Sequence, residues 1–183
     1  MAVKVRVLKE SAPGERRVAA TPETVKKLTA RGASIEVERG AGLAAGFVAQ
    51  AYADAGASLI DADLGNDADV IVCVQSPAAA QLQQLKSGAT LVGMLNPQAD
   101  ETRAQAMQSR QLHVFPLEKL PRTTRAQAMD VLSSQAGMAG YKAVLIAAQL
   151  APRFFPMLTT VADSDCRASN SRTTAMPIAS DKR

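Results

Sequence analysis

From Val3 to Pro116, short β-branched runs alternate with helical segments, and this rhythm limits what the chain can fold into more than any other feature. Val3–Leu8 alternates apolar with basic residues, the pattern of an edge-like or half-exposed strand. A polar loop, Lys9–Ala20, follows. Thr21-Pro22-Glu23 supplies a hydroxyl cap, a proline at the first helical position and an acid near the positive helix end, so a helix is predicted to about Arg31, stopped by Gly32. Ser34–Glu38 reads as a second strand. A glycine-rich turn, Gly40–Gly46, leads to a short helix around Val48–Ala55 and a strand at Ala57–Ile60. The near-continuous β-branched run Asp69–Val74 is expected of a strand covered on both faces. A helix at Pro77–Lys86, a strand at Thr90–Leu95, a helix at Asp100–Arg110 and a strand at Gln111–Pro116 complete the series. Short connections in this order imply an α/β fold, a doubly wound parallel sheet with right-handed crossovers.

The rhythm breaks after Pro116. Leu120–Asp130 (LPRTTRAQAMD) is polar and not Gly/Ser-rich, so it reads as an ordered loop rather than a linker. A longer helix is predicted over about Ser134–Leu150, with Met138, Tyr141, Leu145 and Ala148 on one face. Gly137 and Gly140 each cost that helix roughly 1 kcal/mol relative to alanine, which close packing against another backbone would explain. Past Thr160 the chain is rich in Ser, Thr, Arg and Asp and has no apolar period, so Val161–Arg183 reads as a disordered tail. The expected organisation is an α/β domain over 1–133, a long helix over 134–160 and a tail over 161–183.

Composition excludes several classes. Hydrophobic residues make up 47% and aromatics only 3%, with no Trp, so the core must be aliphatic. The net charge of +4 is scattered among acids, with no basic block interleaved with aromatics, which argues against a nucleic-acid surface. Cys73 and Cys166 make no secretory framework; Cys73, in an apolar run, is expected to act as a small hydrophobe. The N-terminus lacks the apolar core of a signal peptide. The longest apolar stretch, near Ala143–Ala151, is too short to span a bilayer and is interrupted by Gln149. The expectation is a soluble cytosolic chain whose membrane link, if any, comes through a partner.

Three motifs offer chemistry. Gly40-Ala41-Gly42-Leu43-Ala44-Ala45 follows a strand and matches the looser dinucleotide fingerprint, with Asp61 at the end of the next strand; the short helix after it favours a plain tight turn. Glu15-Arg16-Arg17 lies in the first loop, where guanidinium groups either hold carboxylates and phosphates or form structural ion pairs. Arg122, Arg125, Gln127 and Asp130 form the strongest polar cluster. Asp130 can fix an arginine fork, and the Gln127 amide complements a carboxamide. None of these groups is a good proton shuttle at neutral pH, which favours positioning over acid–base work; the residues by themselves favour a plain polar loop capping the long helix. His113, the only histidine, sits inside a predicted strand and reads as structural. Cys73 has no His or Cys near it in sequence, so no metal or nucleophile is supported.

Lys9-Glu10 followed by Glu15-Arg16-Arg17-Val18-Ala19-Ala20-Thr21-Pro22 resembles the opening shared by alanine dehydrogenases and NAD(P) transhydrogenase alpha subunits. Gly40-Ala41-Gly42 through Gly46-Phe47, Tyr52 and Ala55-Gly56-Ala57 fit the same superfamily. The run from Leu120 to Leu145 resembles transhydrogenases specifically, and the resemblance covers about residues 3–160. It implies a flavodoxin-like first domain in which the Gly40 loop is a turn, with the family's glycine fingerprint lying in a second Rossmann domain that does not follow here. It further implies a proton-translocating NAD(P) transhydrogenase: hydride transfer between NAD(H), held on this side, and NADP(H), held by a partner beta subunit, coupled to proton movement through a membrane domain. A homodimer of alpha subunits and a cytoplasmic, membrane-peripheral location go with it. The implied nucleotide-binding residues are Arg122, Thr123, Thr124, Gln127, Asp130 and Ser133, with Gln127 and Asp130 closest to the chemistry. Alanine dehydrogenases carry a histidine where Asn96 stands and a lysine near Cys73–Gln75, so pyruvate or alanine chemistry is disfavoured. The abrupt change after Thr160 reads as truncation or a shifted reading frame, which makes the isolated chain inactive or a non-catalytic interaction domain.

Overall fold

The computed structural model describes residues 2–62, 67–121 and 123–153. They form two units that divide between Gly137 and Met138. The first unit holds six strands: β1 (Lys4–Val7), β2 (Ser34–Glu38), β3 (Ser58–Ile60), β4 (Val70–Gln75), β5 (Thr90–Met94) and β6 (His113–Pro116). Between them run α1 (Pro22–Ala30), α2 (Ala49–Asp54), α3 (Ala79–Gln84) and α4 (Glu101–Ser109), and α5 (Val131–Leu150) follows. Every strand pair is parallel, in the order β3-β2-β1-β4-β5-β6. This is the doubly wound sheet that the alternation predicts. Without the three-residue edge strand β3, the remaining order is the flavodoxin-like one.

Strand side chains alternate between the two faces, so the sheet carries two cores. Val5, Val7, Ile35 and Val37 pack with Val25 of α1 and Tyr52 of α2 in one. Ile71, Cys73 and Leu91 pack with Leu82, Leu85, Ala106 and Met107 in the other. Helix starts follow local chemistry. The Thr21 hydroxyl accepts from Thr24 N–H at 3.3 Å, and Asp100 Oδ1 accepts from Thr102 N–H at 3.0 Å.

Three expectations need correction. β1 is central rather than edge-like, lying between β2 and β4, and Arg6 is only 3% exposed. Its guanidinium donates to Glu36 on β2 at 2.7 and 3.0 Å, a cross-strand pair that makes burial of the charge tolerable. α5 begins at Val131, ahead of the Ser134 start, because Asp130 supplies the cap. Gly137 and Gly140 do not mark a close approach among the described residues, since a Cβ at either would meet nothing within 4 Å there.

The second unit begins within α5. Met138, Tyr141, Val144 and Leu150 are exposed on it. Among the described residues no helix is long and apolar enough to cross a membrane. The expected tail 161–183, with Cys166, lies outside the described residues.

Candidate functional site

In an open α/β sheet, ligands bind outside the carboxyl ends of the strands where the winding reverses, here between β1 and β4. Carboxylates of the protein itself fill that crevice. Glu38 Oε2 accepts from Lys9 N–H at 2.8 Å, just beyond β1. Glu10 accepts from the N–H groups of Val74 and Gln75, at 2.6 and 3.0 Å, on the last turn of β4. Glu118 accepts from the N–H groups of Leu95 and Asn96, at 3.2 and 2.6 Å, beyond β5. These five backbone donors are therefore already taken. Burial pushes the Glu10 and Glu38 carboxyls above their ordinary range, although the backbone donors pull the other way.

Beside this crevice stands the Glu15–Arg17 pair. Arg17 Nη2 and Nε donate to Glu15 at 2.6 and 2.8 Å, and its Nη1 donates to Gln135 Oε1 on α5 at 2.7 Å. The Gln75 amide also donates to Glu15 at 3.2 Å. The guanidinium hydrogen bond is the main reason the Glu15 carboxyl is held down at about 2. Of the two readings of this motif, the geometry shows the ion pair. Arg17 and Gln135 border a cavity of about 250 Å³, lined mainly by Val18, Val72, Val92, Met94 and Val131. Cys73 borders it, but burial pushes its thiol up to about 12, which leaves it inert as a nucleophile at neutral pH.

The Gly40 loop is a turn. Gly40 takes φ 78°, Leu43–Ala45 forms a single 3-10 turn, and α2 starts only at Ala49. A Cβ on Gly42 would stand 2.5 Å from the Tyr52 hydroxyl, so the second glycine exists to admit that ring. Asp61 pairs with Arg39 at 3.1 Å. His113 is exposed at the start of β6.

The polar cluster lies between β6 and α5. Leu117–Lys119 and Thr124–Met129 are 3-10 turns, which no periodicity in the sequence signalled. Thr123, Gln127, Asp130 and Ser133 line one open cavity of about 390 Å³, with Leu120, Pro121 and Ala126 as its apolar wall. Asp130 Oδ1 accepts from Ser133 N–H at 3.1 Å, and its Oδ2 accepts from the Ser133 hydroxyl at 2.6 Å. Thr124 opens the 3-10 turn and is not among the lining residues. Arg122 lies outside the described residues. Gln135 was missed by sequence reasoning, and so was the role of Glu10 and Glu118 as strand caps. Those partners stand far apart in the chain, so no local spacing could reveal them. Among the described residues no cluster could hold a metal ion.

Fold and site together define a doubly wound α/β domain with an internally plugged switch point and a polar pocket at the root of its exit helix. Residues 6–139 match the model of the alanine dehydrogenase/PNT N-terminal domain, and the chain belongs to that family. It is 39% identical over 167 residues to an NAD(P) transhydrogenase alpha-subunit polypeptide of Rhodospirillum rubrum, covering 87% of this chain and 44% of that one. A crystal structure of transhydrogenase from Sinorhizobium meliloti superposes with a TM-score of 0.79 at 44% identity, covering 87% of this chain and 48% of that one. Alanine dehydrogenase 1 of Staphylococcus aureus is 32% identical over 133 residues, covering 73% and 36% of the two chains. The chain thus spans less than half the length of these relatives.

Proposed function

We propose that this chain is the NAD(H)-side component of a proton-translocating NAD(P) transhydrogenase, and that the pocket between β6 and α5 receives the nicotinamide end of the dinucleotide. The carrying observation is that Thr123, Gln127, Asp130 and Ser133, residues implied by the transhydrogenase resemblance, line one cavity. A carboxamide presents one acceptor and two donors. The Gln127 amide, the Asp130 carboxylate and the Thr123 and Ser133 hydroxyls supply both kinds of partner, and Leu120, Pro121 and Ala126 offer an apolar wall for a ring. The residues present therefore fit that group. Arg122 would complete the set. When bound, the dinucleotide supplies the hydride. The chain's part is to hold the ring in one orientation at the pocket mouth, facing NADP(H) on a beta-subunit partner, with proton movement left to the membrane domain.

The internal carboxylates support this division of labour. With Glu10, Glu38 and Glu118 on the strand ends, the N–H groups of Lys9, Val74, Gln75, Leu95 and Asn96 are occupied from within the chain, while the pocket between β6 and α5 stays open to the nicotinamide end. The rest of the dinucleotide would be held by the second domain of a full-length alpha subunit. Homodimerisation and peripheral attachment to the inner membrane through partner subunits are part of the same proposal. An alanine-dehydrogenase activity is disfavoured. Among the described residues Arg17 is the one guanidinium lining the switch-point cavity, and it is bonded to Glu15 and Gln135. Asn96 stands beyond β5 and offers no imidazole.

The test is a titration of the ¹⁵N-labelled full chain with millimolar NADH, read by backbone NMR. Shifts centred on Thr123, Gln127, Asp130 and Ser133 support the reading. Shifts centred on the Gly40 loop, or turnover of pyruvate and ammonia with NADH, would overturn it. No shift at all would leave the non-catalytic interaction domain as the better description of this chain.

A further inference from the structure

Arg17 and Gln135 have no place in the pocket, yet they touch across the site. Arg17 belongs to the loop after β1 and Gln135 to the first turns of α5, 118 positions later, and their side chains meet at 2.7 Å. The guanidinium Nε and Nη2 donate to Glu15, whose side chain is only 8% exposed and also accepts from the Gln75 amide at the end of β4. Glu10 binds the backbone of that same strand end. A continuous run of hydrogen bonds therefore leads from the centre of the sheet, through Gln75, Glu15 and Arg17, to Gln135. At the same end of α5 stand Asp130 and Ser133, joined to each other at 2.6 and 3.1 Å. The 3-10 segment that carries Gln127 has little burial of its own. Most of its residues are exposed, and only Ala126 is buried.

We propose that Arg17, acting through Gln135, is the positioning residue that fixes the pocket loop Thr123–Ser133 and the root of α5 against the sheet. The proposal rests on the nicotinamide reading for its purpose, though not for its geometry. A planar fork is suited to this task. Two of its edges are locked on a buried carboxylate, so the third points in one direction, and the amide it meets can hold α5 in only one rotation. Lysine could not replace it, having no fixed angle between its donors.

The experiment compares Arg17→Met, Gln135→Met and the double variant with the wild-type chain by amide hydrogen exchange without nucleotide. The expected result is about tenfold faster exchange at Ala126, Asp130, Ser133 and Ser134 in each single variant, the effect of losing one charge-assisted hydrogen bond. The double variant should be no faster than either single, because both remove the same link. Amides of β4 should be unchanged. If Gln135→Met leaves those four amides at the wild-type rate, or if the double variant shows the product of the two single effects, the proposal is overturned. Gln135→Met keeps the Glu15–Arg17 pair, so it decides the matter even where Arg17→Met unfolds the chain. A second arm compares NADH-induced shifts at Gln127 and Ser133 with the urea midpoint of the wild-type chain and Gln135→Met. Positioning weakens the NADH shifts while the midpoint holds, and a fall of the midpoint with unchanged NADH shifts overturns the proposal. A wild-type chain that shows no NADH shift sinks the nicotinamide reading, while the exchange result still decides the link.

Discussion

Asp130 has two roles that can be separated, as cap of α5 and as a carboxylate lining the pocket. Asp130→Ala removes the acceptor for the Ser133 N–H at 3.1 Å and for the Ser133 hydroxyl at 2.6 Å. Loss of an N-cap costs about 1 kcal/mol. Loss of a negative charge at the positive end of a helix adds about 0.5 kcal/mol at an exposed site. Together these make opening of the first turn of α5 about tenfold more frequent. Asp130→Asn keeps an acceptor oxygen and the cap geometry but loses the charge, so the opening changes only about twofold. Amide exchange at Ser133 and Ser134, read by NMR under conditions where opening is at equilibrium, measures both. Equal effects of Ala and Asn, or no effect of either, would refute the cap. The pair also isolates the pocket role: if the carboxylate binds the nicotinamide end, both variants lose the NADH-induced shifts although Asn preserves the helix start.

Acid stability follows from the Glu15 carboxyl, held down at about 2 from an ordinary 4.5 by the Arg17 guanidinium. Its folded value is depressed, so its contribution is present above pH 4.5 and is lost as pH falls towards 2. With Arg17 39% exposed to screening solvent, that contribution is expected to be about 1–2 kcal/mol. Glu10 and Glu38, raised by burial, act in the opposite sense and favour the fold slightly as they protonate. Urea midpoints should therefore fall steeply only at the acid end, and Glu15→Gln should flatten that fall; parallel curves for variant and wild type would contradict the assignment. Gly42→Ala places a methyl 2.5 Å from the Tyr52 hydroxyl and 3.0 Å from Phe47 Cβ, at a ring only 2% exposed. It should cost about 1–3 kcal/mol in chemical denaturation. Adding Tyr52→Phe should relieve part of that cost, and a neutral Gly42→Ala would show that the loop has room to yield.

Sequence alone determined the order of elements and the parallel doubly wound class. These signals are local. β-branched runs and the Thr21-Pro22-Glu23 cap each need only a few neighbouring residues to declare themselves. The same reading placed β1 at an edge, because alternation of Lys4 and Arg6 with valines looks like a solvent face. Only pairing with Glu36, 30 positions away, makes a central Arg6 tolerable. The short helix after Gly40 already favoured a turn over a phosphate loop, and the Tyr52 ring against Gly42 supplies the physical reason for the second glycine. Tertiary structure also decided which carboxylates close the strand ends, and that Arg17 reaches Gln135 rather than open solvent. Those contacts join segments far apart in sequence, and hydrogen bonds of this kind depend on angles and distances that only the assembled sheet sets.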